Sequence, residues 1–93
     1  MNTNITINGE QYPVKMGFRA LLDFEEMTGK NANQLGELST KEMIALFYFG
    51  IKAGCRKEAK KFNYDFDGFI DLIEDYPEII EQMGSLMTPE EGK

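Results

Sequence analysis

The stretch "MIALFYFGIKAGC", residues 43–55, decides how this chain folds. Just before it, Ser39-Thr40-Lys41-Glu42 fits a capping box, in which Glu42 reaches back to the cap residue. Thr40 is an alternative cap. A helix is therefore expected to start here. At helical spacing Met43, Leu46, Phe47, Gly50, Ile51 and Gly54 line one side, while Ile44, Tyr48 and Cys55 face away from part of it. A surface helix carries a polar stripe, and this one has none before Lys52. It is either central in the fold or shared with another chain. Gly50 and Gly54 sit four apart and permit close backbone approach, at about 1 kcal/mol each relative to alanine.

Working towards the N-terminus, "NITINGEQYPVKMGF" reads as a β-hairpin over residues 4–18. Ile5 and Ile7 alternate with Thr6 and Asn8. Asn8-Gly9 is a strong turn pair because both residues tolerate positive φ. The return strand is expected from Tyr12 to Phe18, with Pro13 facing an edge because it lacks an N–H. A helix over about 19–28 follows, and Gly29 suits its left-handed end. "NANQLGELS" reads as a linker with one short turn around Leu35.

Working towards the C-terminus, the central helix is expected over about 40–61. Its end carries Lys52, Arg56, Lys57, Lys60 and Lys61, against only Glu58. Cations suit the negative end of a helix dipole, and the same five residues form a possible basic docking patch for an acidic partner. From Asp65 to Glu91 there are nine acidic residues and no basic one. Phe69, Leu72 and Ile73, then Ile79, Ile80 and Met83, indicate two short helices over about 67–75 and 77–86. Tyr76-Pro77 separates them, since a residue before proline disfavours the α region. Residues 87–93 are expected to fray.

Composition narrows the function. A chain of 93 residues suggests one domain. A net charge of −6 and a pI of about 4.6 disfavour nucleic acid and anionic membrane as partners. No histidine is present, which removes every imidazole-dependent catalytic arrangement. The single cysteine, Cys55, lies in an apolar segment and reads as a small buried hydrophobe. Neither a secretory signal nor a membrane-length apolar run is visible, so a soluble, cytoplasmic protein is expected. No phosphate-cradling glycine loop, cofactor motif or catalytic constellation is visible, and an enzyme is not expected.

"NYDFDGFIDLIED", residues 63–75, raises one metal question. Asn63, Asp65, Asp67, the Phe69 carbonyl, Asp71 and Glu74 fall at the ligand positions of a calcium loop, with Gly68 at its turn. Against this, position 1 is a neutral Asn, Tyr64 and Phe66 are bulky, Pro77 follows closely, and there is no second loop. The stronger reading is a helix start capped by Asp65 or Asp67, with no metal.

Several phrases together resemble the small tail assembly chaperones of long-tailed, siphovirus-like bacteriophages and prophages. Lys15, Gly17, Phe18, Ala20 and Leu21 match a "K-x-G-F-x-A-L" phrase, and Phe24, Glu25, Thr28, Gly29 and Lys30 match "F-E-x-x-T-G-K". Leu46, Tyr48, Gly50, Ile51 and Ala53 match an "L-x-Y-x-G-L-x-A" helix, and "DFDGFIDLIEDYPEI" is similar to the capped acidic helix of that family. The resemblance spans roughly residues 4–80 and is a pattern of phrases rather than a strict motif. It implies a non-catalytic protein of the bacterial host cytoplasm, absent from the mature virion. Such a protein transiently binds the tape measure protein, the tail tube subunit or both, and would be the short form where a frameshift also yields a longer one. It implies no particular binding residue.

The expected architecture is α+β, an N-terminal β-hairpin packed on a small bundle of three to four helices. Phe47, Tyr48, Ile51, Phe69 and Ile73 are the candidate partner-binding residues, with core packing as the alternative for each. Phe18, Leu22 and Met43 are expected in the core. Open hairpin edges and the all-apolar helix favour a homo-oligomer. The alternatives in function are a generic acidic interaction module or small subunit without a phage role, and a single degenerate calcium-binding module.

Overall fold

A turn sets the first element. In this computed structural model, which describes residues 4–30 and 38–87, Asn8 and Gly9 both have positive φ, 53° and 81°. That is the turn whose twist matches two antiparallel strands. β1 (Asn4–Ile7) pairs with β2 (Glu10–Pro13), Ile5 opposite Tyr12 and Ile7 opposite Glu10. The return strand is shorter and earlier than the expected 12–18. Beyond Pro13 the backbone turns to the central helix instead, and the Lys15 N–H donates to the Gly50 carbonyl at 2.9 Å. By Phe18 the chain is helical.

Four helices follow: α1 (Phe18–Thr28), α2 (Thr40–Lys57), α3 (Phe66–Asp75) and α4 (Glu78–Met87). The α+β hairpin-and-bundle architecture is thus present. α1 stops at Gly29, whose φ of 79° a β-carbon would disfavour. α2 ends at Lys57, four residues before the expected 61. Ala59 adopts a left-handed φ of 56°, and the Lys60 N–H donates back to Cys55 O. α3 is capped by Asp65, whose Oδ1 accepts the Gly68 N–H at 2.7 Å. Tyr76-Pro77 breaks the helix as expected. The turn expected around Leu35 and the tail beyond Met87 lie outside the described residues.

α2 carries both cap devices written in its sequence. Ser39 Oγ accepts the Glu42 N–H at 3.2 Å, and Glu42 Oε1 accepts the Ser39 N–H at 2.9 Å. That backbone hydrogen bond, with a lesser contribution from Lys30 3.4 Å away, holds the Glu42 carboxyl below its ordinary pKa. A depressed carboxylate pKa adds stability above the unfolded-state value and loses it as pH falls through the folded-state value. Glu42→Gln should therefore flatten the acid limb of a melting-temperature profile below about pH 4.5. A profile parallel to the parent's throughout would refute the coupling. Ser39→Ala should cost about 1 kcal/mol at neutral pH.

α2 is the axis of the fold, and its own chain covers it. Ala45, Leu46, Phe47, Tyr48, Gly50, Ile51, Ala53, Gly54 and Cys55 are all buried. The hairpin exit lies over Gly50 and Gly54. α1 covers Ala45 and Leu46 through Phe24, and α3 covers Tyr48 through Phe69. The apolar face that could have been shared with another chain is thus used internally. β1 is closed as well. Gln82 of α4 donates its amide to the Thr6 carbonyl at 2.7 Å, and its Oε1 accepts the Thr6 N–H at 2.8 Å. A side-chain amide therefore occupies the edge that was expected to invite another chain. Among the described residues no helix is long and apolar enough to cross a membrane.

Candidate functional site: an apolar ridge beside the α1–α2 groove

The helical register of α1 decides which apolar side chains are left outside. Ala20 and Phe24, four apart, face α2 and are fully buried. Phe18 and Leu22, also four apart, point the other way and are 85% and 60% exposed. Met27 near the end of α1 and Met43 near the start of α2 are exposed too, at 42% and 43%. Placing Phe18, Leu22 and Met43 in the core was therefore wrong. Residues 18–24 hold two apolar stripes, and α2 takes the one with the small Ala20, which lets the helices approach.

The candidate partner-binding residues have the opposite fate. Phe47, Tyr48, Ile51 and Phe69 are buried, and Ile73 is half-buried against the same core. Tyr48 stacks at 5.2–6.1 Å on Phe49, Phe62, Phe66 and Phe69, and its hydroxyl donates to the Tyr64 carbonyl at 2.8 Å. Burial raises the Tyr48 phenol and Cys55 thiol pKa values, which keeps both neutral. These side chains hold the fold together, and all but the half-buried Ile73 offer little surface while it stays closed.

Antiparallel α1 and α2 leave a groove along one flank. Near its middle, Asp23, Glu26, Met27, Phe49 and Lys52 enclose about 320 Å³. Towards the start of α2, Met27, Thr28, Lys41, Glu42 and Ala45 enclose about 180 Å³ more, so Met27 is common to both parts. At the opposite end Lys15, Arg19, Arg56 and Lys57 surround a cleft of about 330 Å³ beside Ala53.

The five cations grouped by sequence are thus divided. Lys52 lies 5.4 Å from the Tyr48 ring and lines the mid-groove. Arg56 and Lys57 line the cleft. Lys60 lies beyond α2, paired with Glu10 and 5.1 Å from the Tyr12 ring, and Glu10 raises its pKa. Lys61 is exposed past the helix end. Lys15 and Arg19 complete the cleft. Both precede Arg56 by more than thirty residues; the antiparallel packing of α1 on α2 brings Arg19 in, and the backbone bond from Lys15 to Gly50 brings in Lys15.

The calcium-loop alternative meets a different geometry. The chain is helical from Phe66, so Asp67, Asp71 and Glu74 project from helix turns, and Asp65 is occupied as a cap. Gly68 lacks the positive φ of the sharp loop turn. No group of three or more acidic or cysteine side chains converges on a metal position among the described residues.

Comparison of the chain with protein-family models, curated proteins and solved structures finds no match.

Proposed function

We propose that this protein is a non-catalytic tail assembly chaperone of a siphovirus-like phage or prophage, transiently holding the tape measure protein, the tail tube subunit or both. The exposed α1 ridge of Phe18 and Leu22 is the observation that carries a holding role. Phe18 is the most exposed large apolar side chain among the described residues, and Leu22 lies one turn along from it. Exposed apolar groups that adjoin one another mark interaction surfaces, whereas scattered ones are ordinary. Covering them yields about 25 cal/mol per Å² of apolar area removed from water. The phrases shared with the chaperone family supply the phage context. The central helix no longer supports the reading, because the fold encloses it.

Co-expression with a tape measure protein from a siphovirus-like tail operon tests the proposal. The two should co-purify, and Phe18→Ser with Leu22→Ser should abolish capture while the melting temperature stays within a few degrees of the parent's. Tails that assemble normally from a tail gene set lacking this chain would overturn it. A generic interaction module has the same ridge, and capture of a partner unrelated to phage tails would favour that reading.

A further inference from the structure

The cleft at the end of the α1–α2 groove is the most cationic place described on an acidic molecule. Lys15 leads into α1, Arg19 lies in its first turn, and Arg56 and Lys57 lie in the last turn of α2. No carboxylate lines this cleft. The nearest ion-pair partner is Asp23, 3.6 Å from Arg19 across a half-exposed surface, which leaves the charge largely unmatched. Cations at the end of α2 satisfy its dipole, but that does not account for Lys15 and Arg19, which come from another part of the chain. Around α1, Arg19 directly neighbours the Phe18–Leu22 ridge. One surface therefore presents two bare apolar side chains with four positive charges beside them.

We propose that this surface docks an acidic amphipathic segment of a partner protein, with two apolar residues one helical turn apart flanked by Asp or Glu. The apolar pair covers Phe18 and Leu22, and the carboxylates enter the cleft. This rests on reading the α1 face as a protein-docking surface, and it is independent of tail assembly. A free phosphate would use the cations and leave the ridge bare. Nucleic acid and anionic membrane present extended negative charge to the whole molecule of net charge −6, whereas a short acidic segment meets only the cationic cleft. A second copy of this chain offers the wrong surface. The exposed positions of α3 and α4 are mostly carboxylates, and Leu86 is their one exposed large apolar residue among those described. Attraction at such a rim sets partner choice and association rate more than affinity, which suits transient binding.

The test uses the full chain and three synthetic helical peptides. Each carries leucines at i and i+4, flanked by Glu, by Gln or by Lys. The Glu peptide should bind at least about tenfold more tightly than the Gln peptide at low salt, and the advantage should vanish near 1 M salt, where charges are screened beyond about 3 Å. Arg56→Gln with Lys57→Gln should remove most of that advantage. Arg19→Glu should remove it too, and the neutral pair guards against a misfolded charge reversal. Equal affinity for the Glu and Gln peptides, tighter binding of the Lys peptide, or no binding by any peptide would overturn the proposal. So would salt-sensitive self-association abolished by the same substitutions, because the occupant would then be a second copy. Peptide binding without capture of a tail protein would leave the docking chemistry standing and sink the tail reading.

Discussion

Gly54→Ala is expected to destabilise the protein by about 2 kcal/mol net, an overlap cost of about 3 kcal/mol less what alanine returns in helix propensity. A β-carbon on Gly54 would sit 2.8 Å from Val14 N and 2.5 Å from the Pro13 carbonyl carbon, and closer still to the Pro13 oxygen. All three atoms belong to backbone at the end of β2, so no side-chain rotation relieves the overlap. The hairpin exit must lift from α2, and Val14 must leave the core with it. Higher helix propensity returns only about 1 kcal/mol. The net effect should lower the melting temperature by roughly 8–16 °C. Gly50→Ala is the control. Its β-carbon would meet the Met16 thioether at 2.6 Å, the movable end of a flexible side chain, and the loss should stay near 1 kcal/mol. Equal losses at the two positions, measured by circular dichroism melts, would show that the close approach at Gly54 is not rigid.

Phe69→Ala should cost about 3–5 kcal/mol, against less than about 0.5 kcal/mol for Phe18→Ala. Phe69 has no exposed surface and lies 5.6 Å from the Tyr48 ring and 6.2 Å from the Phe62 ring. Its removal opens a cavity where α2, α3 and the segment after α2 meet. Phe18 has almost no neighbours to lose. Function should divide the other way: Phe18→Ala folds and fails to bind, whereas Phe69→Ala binds in proportion to the fraction folded. A Phe18→Ala protein as unstable as Phe69→Ala would mean that the ridge is part of the core.

The features legible in the sequence are those a few neighbouring residues determine. Asn8-Gly9 fixed the hairpin turn, Gly29 the end of α1, Ser39 with Glu42 the start of α2, and Asp65, one of two candidate caps, the start of α3. Each device closes within four residues, so no tertiary information is needed. The orientation of α1 was not legible, because Phe18 with Leu22 and Ala20 with Phe24 have the same spacing. The choice between them depends on how closely α2 can approach, which is a property of the packed pair. For the same reason exposure was not legible, and Tyr48 and Phe69 lie inside while Phe18 and Leu22 lie outside. The cleft was half legible. Arg56 and Lys57 stood out as charged residues, but Arg19 joins them only through the antiparallel pairing of two helices, and Lys15 only through the close approach of the hairpin exit to α2.

The amide of Gln82 that closes β1 has a consequence for synthesis. Ile5 and Ile7 are buried in one core with Ile79 and Met83, so the earliest-made strand packs against the helix made last among those described. At about 5–20 residues per second, the ribosome needs roughly 4–15 s to bring residue 82 after residue 7. Throughout that interval the two isoleucines have only the α2 part of their core to pack on and lack the α4 part. Closure of β1 should therefore be a late event, completed only when α4 has been made.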